Sequence, residues 1–260
     1  MSDFRCHCDA TIPRIPEIEL SPSESHHLVA TCRARQGDEI IAFNGQGIEW
    51  TCTLSKADKR KAILSPIAHK LFSKPKHRIT LIQAAPKAKG LENIVRRATE
   101  LGVWNIQPII TSRTELKVIT DREATKLAKL KASTIEGAKQ SGNPWLPEIN
   151  GFASLHNLEF PGALKLVASL QETTTTVKTA FDSFAKEASE DSAPKPLHQT
   201  EGLPFEVFCL IGPEGDFDSE EYGFIAQQGF RPVTLGPYVQ RCETAAVSML
   251  SAVQQQLIQL

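Results

Sequence analysis

The 260-residue chain has no apolar run long enough to span a bilayer, and its opening residues, MSDFRCHCDA, hold no apolar core. A membrane helix needs about 20 such residues, and a secretory leader needs an apolar core of its own. Both absences point to a cytoplasmic protein without a membrane partner. The six cysteines, Cys6, Cys8, Cys32, Cys52, Cys209 and Cys242, also lack the usual zinc-ligand spacing. Only Cys6 and Cys8 are close, so reduced, incidental thiols and no metal site are expected. No internal repeat is present.

Net charge is also small, at −1, with 29 basic against 30 acidic residues. Its distribution is uneven. Residues 1–150 carry 23 Lys and Arg against 16 Asp and Glu, a net of +7, while residues 151–260 carry 6 against 14, a net of −8. A basic front suits a polyanionic partner. Charge that drifts along a surface with no partner would give the same count.

Residues 1–73 read as a small β-rich module. The run Glu39–Phe43 is strand-like, Asn44-Gly45-Gln46-Gly47 is a turn, and Ile48–Leu54 answers with alternating apolar and β-branched residues. A charged turn, Lys56–Lys61, leads to a further apolar run, Ala62–Ala68. The segment SPSESHHLVATCRAR has polar starters and a short helical pattern, so a small barrel with one helix is predicted. The stretch 73–76 (SKPK) reads as an exposed linker.

From residue 77 the pattern changes to strands alternating with longer helices. Strands are predicted at RITLIQAA, NIQPII, ALKLVASL, FEVFCLIG and RPVTLG, and helices at LENIVRRATELG, EATKLAKLKASTIEGAKQS, about Ser219–Gln228, and Thr244–Leu260. That alternation predicts an α/β domain with a mainly parallel sheet over 74–260. The polar stretch 186–204 reads as a disordered or surface insertion, and the four threonines Thr173–Thr176 carry no reading.

In open α/β sheets ligands bind beyond the carboxyl ends of strands. Two such ends carry unusual loops. Ile211-Gly212-Pro213-Glu214-Gly215-Asp216-Phe217 follows one strand, and Asp218 with Glu221 has the spacing of a capping box. This loop lacks Gly-x-Gly-x-x-Gly and Gly-Lys-Ser/Thr, so it is no phosphate cradle. Glu214 and Asp216 would repel a pyrophosphate and suit a cationic ligand, though an ordinary strand-to-helix turn fits the residues too. Leu235–Ala245 joins the next strand to the last helix. Arg241 is its sole basic residue and the only one in the last 29 positions, which implies a ligand or a structural pairing with Glu243 or Glu214. Glu243 gains from the helix dipole.

The pair IGPEGDF and LGPYVQRCETA resembles the signature of the RsmE family, the uridine N3-methyltransferases of small-subunit ribosomal RNA, whose members typically read IGPEGGF and LG-x-R-I-L-R-T-E-T-A. The segments ESHHLVATCRARQGDEIIAFNGQG, PKAKGLENIVRRATELGVWNIQPIITSRTELK and AKQSGNPWLPEI extend the likeness over nearly the whole chain. The chain departs from the pattern at Asn143, Asp216, Tyr238, Gln240 and Cys242, and the N-terminal Arg-x-Phe pattern is faint near Arg5.

The resemblance implies a PUA-like β-barrel over 1–73 that binds RNA, followed by a SPOUT-type α/β domain over 74–260 with a C-terminal trefoil knot. It implies a homodimer and S-adenosylmethionine as methyl donor, bound by Leu170, Gly212, Glu214, Gly215, Leu235, Gly236, Val239, Gln240, Arg241, Thr244 and Ala245. The last helix also points to a homodimer, since Val247, Met249, Leu250, Val253, Leu257, Ile258 and Leu260 are more apolar surface than one helix face needs against its own sheet. Arg241 is then the candidate to stabilise a uridine anion, with Glu243 as base or as the group that orients Arg241. Arg33, Arg35, Lys59, Arg60 and Lys61 are the candidate contacts to small-subunit ribosomal RNA, in an assembled or nearly assembled subunit. The alternatives are a non-catalytic knotted RNA-binding or assembly protein, and a ribose 2′-O-methyltransferase of the same superfamily. The ETA segment favours the base methylator.

Overall fold

In the computed structural model, residues 4–86, 90–114, 120–160, 164–171, 173–190 and 205–258 are described. They form two compact units, Met1–Lys74 with Ile135–Leu146, and Pro75–Thr134 with Pro147–Leu260.

The first unit contains β1 (Arg5–His7), β2 (Ile18–Glu19), α1 (Pro22–His26) with a wider helical turn at His27–Thr31, β3 (Glu39–Phe43), β4 (Ile48–Lys56) and β5 (Ile63–Leu71). The sheet order is β1-β3-β4-β5-β2, with β1 parallel to β3 and the remaining pairs antiparallel. Alternation along β4 sends Trp50, Cys52 and Leu54 into the core, where they meet Ile40, Ala42 and Leu64. The predicted hairpin is present, with Ile41 opposite Thr51. Asn44 organises its turn, since its side-chain oxygen accepts the amides of Gln46 and Ile48 at 2.8 and 3.1 Å. Gly47 has φ +85, and a Cβ there would lie 2.3 Å from the Trp145 ring. Only glycine meets both conditions.

The segment Ile135–Leu146 is fixed to this sheet by polar contacts. Lys139 reaches both carboxylate oxygens of Glu24 at 3.0 and 3.2 Å, with each side chain 13% exposed. Arg5 pairs with Glu49 at 2.6 Å and donates to the Gly142 carbonyl at 3.3 Å.

The second unit contains β6 (His77–Ala84), α2 (Gly90–Glu100), β7 (Asn105–Ile110), the start of α3 (Thr120–Ser141), β8 (Glu148–Ile149), β9 (Ala153–Ser154), β10 (Leu164–Ala168), α4 (Val177–Glu190), β11 (Phe205–Ile211), α5 (Ser219–Gln227), β12 (Arg231–Val233) and α6 (Cys242–Leu257). The order is β12-β10-β11-β6-β7-β8, with β9 also on β7, and every pair is parallel. The central strands are apolar on both faces because helices cover both. Val207, Cys209 and Ile211 of β11 join α2, α4 and α6 in one core, while Phe208 and Leu210 join Phe160, Phe217 and Ile225 in the other.

Three features differ from the sequence reading. The sequence reading places no element at α4, although Val177, Ala180, Phe181 and Phe184 have helical spacing and pack into the first of those cores. Residues 186–190, assigned to a polar insertion, are its last five residues, and 191–204 lie outside the described residues. The apolar arc of the last helix does not require a partner. Met249, Leu250 and Val253 are fully buried in the subunit's own core, and Ile258 beyond them is exposed. Leu260 lies outside the described residues.

Candidate functional site

Strands β10, β11 and β12 run parallel and end together at one edge of the sheet, with Val167 level with Leu210 and Ala168 level with Val233. The loops that follow them therefore meet. They enclose a cleft of about 290 Å³.

Each loop is held by its own contacts. After β10, the Ser169 amide donates to the Val233 carbonyl at 3.1 Å, and the Ser169 hydroxyl accepts the Gln171 amide at 3.2 Å. After β11, the Asp216 amide closes a turn onto the Pro213 carbonyl at 3.0 Å, Arg113 donates to the Gly215 carbonyl at 2.6 Å, and the Cys242 thiol donates to the Gly212 carbonyl at 3.4 Å. The Gly212 backbone rests on the Phe217 ring, 3.0 Å from where a Cβ would stand. After β12, Gly236 turns at φ +138 and the Gln240 side chain donates to the Leu235 carbonyl at 3.1 Å. Downstream of the β11 loop, the capping box of α5 is present. Asp218 accepts the Glu221 amide at 2.8 Å, and Glu221 accepts the Asp218 amide at 3.0 Å.

Of the residues singled out from the sequence, Leu170, Gly212, Glu214, Leu235, Gly236, Val239, Gln240, Arg241 and Ala245 line this cleft. Gly215 and Thr244 do not; Gly215 packs against Arg113 instead. Arg241 is exposed, sits at the N-cap of α6 and forms no ion pair among the described residues, so neither Glu243 nor Glu214 is its partner. Glu243 turns away. Its Oε1 lies 2.8 Å from the position a Cβ on Gly90 would take, at the start of α2. The sequence reading missed Ser169 and Tyr238 as lining residues and gave Asp216 only as a charge suited to a cationic ligand. Asp216 and Tyr238 had a signal, since both stand where the family pattern has another residue.

The electrostatics favour a cationic, partly apolar ligand. Glu214 and Asp216 line the cleft together with Ile211, Leu235 and Val239. Leu170, Tyr238 and Val239, at its rim, are 63%, 83% and 77% exposed, and a clustered apolar rim marks a binding surface. Gln240 Oε1 is buried and has no partner among the described residues. A buried acceptor left open is costly, so a ligand donor there is its natural complement. Burial, then the charges of Glu214 and Glu243, push the Cys242 thiol up to about 11, so it is no nucleophile. S-adenosylmethionine fits this donor set. Its sulfonium and ammonium would complement the carboxylates, its amino and hydroxyl groups would supply the missing donor, and its adenine would suit the apolar wall.

In the first unit, Arg33, Arg35, Lys59, Arg60 and Lys61 are exposed. The register puts both groups at the same end of the sheet, since β3 begins where β4 finishes. Asp58 shapes the second group by accepting the amides of Arg60 and Lys61 at 2.8 and 3.1 Å. Lys61 is paired with Glu19 at 2.8 Å. Arg33 has φ +62.

Comparison with known proteins agrees with this geometry. The RNA methyltransferase domain matches residues 73–254, and the RNA methyltransferase PUA domain matches residues 20–67. Ribosomal RNA small subunit methyltransferase E of Aquifex aeolicus is 33% identical, with 84% of this chain and 86% of the relative covered. The protein of the same name from Synechocystis is 29% identical over 91% of this chain and 72% of its own. The solved methyltransferase Lpg2936 of Legionella pneumophila, in complex with S-adenosylmethionine, is 27% identical, covers 99% of this chain and 98% of its own, and superposes with a TM-score of 0.84. The parallel α/β unit, the curled β unit and these matches agree: the chain belongs to the RNA methyltransferase family that includes the ribosomal RNA small subunit methyltransferases E.

Proposed function

We propose that this protein transfers a methyl group from S-adenosylmethionine to N3 of a uridine in small-subunit ribosomal RNA. The observation that carries the reading is the meeting of three strand-end loops on one acidic, apolar-walled cleft, with Arg241 on its wall.

When bound, S-adenosylmethionine supplies an electrophilic methyl on a sulfonium. The chain's part is to hold that group and to make N3 reactive. Glu214 and Asp216 offer charge to the cationic end, and Gln240 Oε1 offers an acceptor to a donor of the ligand. Uridine N3 is a poor nucleophile while protonated. Loss of its proton to solvent water leaves negative charge spread over O2, N3 and O4. The Arg241 guanidinium, unpaired by any carboxylate of the described residues, stabilises that anion and makes the proton easier to lose. Holding N3 in line with the methyl supplies much of the remaining acceleration. Lifting the base from its stack costs a few kcal/mol, offset by pocket contacts. Glu243, which does not line the cleft, acts by holding the start of α2 against α6.

The β-rich region, residues 1–73, delivers the RNA through Arg33, Arg35, Lys59 and Arg60, with Lys61 shared with Glu19. Residues 74–260 form the knotted methyltransferase domain. The protein works in the cytoplasm on an assembled or nearly assembled small subunit. Among the described residues no helix is long and apolar enough to cross a membrane. It works as a homodimer, and the exposed Leu170, Tyr238 and Val239 are the surface a second copy would cover.

The test is calorimetry of S-adenosylmethionine with the full-length protein, without added metal. Micromolar or tighter binding supports the reading, and no heat at protein concentrations well above micromolar contradicts it.

A further inference from the structure

The cleft wall carries a chain of three hydrogen-bonded side chains whose function methyl transfer alone does not explain. Tyr222 of α5 donates its hydroxyl to the Asp216 carboxylate, 2.9 and 3.1 Å from its two oxygens. The same phenol oxygen lies 3.3 Å from the Ser169 hydroxyl. A phenol has one proton, and a carboxylate has none to give. Ser169 must therefore donate to Tyr222, and Tyr222 to Asp216. Ser169 and Asp216 line the cleft, whereas Tyr222 stands behind the wall. The phenol does not ionise near neutral pH. Burial, with Asp216 adding to it, holds Tyr222 up at about 12.

This chain fixes a charge. Asp216 has φ +60, a left-handed conformation that suits glycine best and that aspartate tolerates because its short side chain bonds locally. Here that local bond is present, from the Phe217 amide at 2.9 Å. The observed donors to Asp216 are a phenol and an amide, both neutral, and no ion pair cancels its charge among the described residues. A carboxylate so held does not swing away.

We propose that Asp216, held by Tyr222, is a specificity residue that makes the cleft bind the cationic methyl donor in preference to its demethylated product, S-adenosylhomocysteine. The inference rests on the methyl-transfer reading above. In that reaction the S–CH3 bond breaks as the N3–CH3 bond forms. The electron pair of the broken bond stays on sulfur, which becomes a neutral thioether. Attraction between a fixed carboxylate and the sulfonium thus exists before transfer and is gone after it. The charge holds the substrate and lets the product leave.

Calorimetry on the full chain tests this with both compounds, on the native protein and on Asp216→Asn, Asp216→Gly and Tyr222→Phe. The native protein should prefer S-adenosylmethionine. Asp216→Asn should lose about five-fold in affinity for it, the scale of one partly screened charge, with less than about two-fold change for S-adenosylhomocysteine. Asp216→Gly, which suits φ +60, should give the same selective loss without strain, and Tyr222→Phe a smaller one. Equal losses for both compounds, or no change for either, would overturn the role of Asp216 and leave the methyl-transfer reading standing. Native protein that binds neither compound would overturn that reading, and the inference with it.

Discussion

Arg241 and Glu243 stand two residues apart in sequence and serve different places. Arg241 lines the cleft, and Glu243 lies against Gly90 at the start of α2. Chemistry and architecture therefore separate here. Arg241→Ala should lower kcat by about 10²–10³-fold, as removal of one donor to a developing anion does, with the dissociation constant for S-adenosylmethionine little changed. Glu243→Gln should leave kcat within about three-fold and lower the melting temperature instead. Steady-state kinetics beside thermal melts decide it. A kcat loss in Glu243→Gln as deep as in Arg241→Ala would make the carboxylate chemical.

Glycines of the site differ in what they tolerate. A Cβ on Gly212 would press on the Phe217 ring at 3.0 Å, and one on Gly90 would meet Glu243 and Pro86 at 2.8 and 2.9 Å. Gly212→Val should therefore abolish binding of S-adenosylmethionine, since Gly212 itself lines the cleft. Gly215 faces the Arg113 side chain at 3.4 Å, an ordinary contact. Gly215→Val should weaken binding by no more than a few fold. Calorimetry that ranks the two the other way would show that the ligand lies against Gly215.

Glu221 is a buried carboxylate of the second unit, at 4% exposure. It caps α5 and also accepts the Ser112 amide at 2.7 Å and the Ser112 hydroxyl at 3.3 Å, which ties the end of β7 to the loop after β11. Glu221→Ala leaves three donors without an acceptor and should cost about 2–4 kcal/mol, near the upper range for a lost buried bond to a charge. Urea unfolding measures it. A loss under about 0.5 kcal/mol would mean that water replaces the carboxylate freely.

A pH dependence follows from Tyr222. Its folded-state value of about 12 lies above the ordinary phenol value. The Tyr222 contribution is therefore complete below about pH 10 and is lost as pH rises toward the folded-state value. Tyr222→Phe should be less stable than the native protein at pH 8, and the gap should close toward pH 12. Denaturant titrations along that range check it; a gap that stays constant would contradict the hydrogen-bonded phenol.

RNA affinity should fall steeply with salt if the exposed basic residues of the first unit touch phosphates. Removing Arg33, Arg35, Lys59 and Arg60 together should reduce the slope of log affinity against log salt by about one for each phosphate no longer neutralised. Filter binding at several salt concentrations reads that slope. An unchanged slope would send the RNA elsewhere.

Much of this architecture was legible in the sequence because its signals are local. Asn44-Gly45 marked the hairpin, the spacing of Leu91, Ile94, Val95 and Ala98 marked α2, and Asp218 with Glu221 marked the start of α5. What escaped depends on distant contacts or on short elements. Strands β1 and β2, of three and two residues, are too short to show a period. The stripe of α4 sits between a threonine run and a polar run, so its apolar period is diluted on both sides. The apolar arc of α6 is filled by α2, α4 and the sheet, which no local pattern reveals. The direction of Glu243 and the contact between Asp216 and Tyr222 are likewise tertiary facts.

The central claim meets its most direct test on the RNA itself. Small subunits from cells lacking this protein are incubated with the purified protein and S-adenosylmethionine, and the ribosomal RNA is digested to nucleosides for mass spectrometry. The account predicts new 3-methyluridine at a single site, formed about 10²–10³-fold more slowly when Arg241→Ala replaces the native protein. A methyl group found on a ribose 2′-oxygen, or no methyl group on RNA from a protein that binds the cofactor, would contradict it.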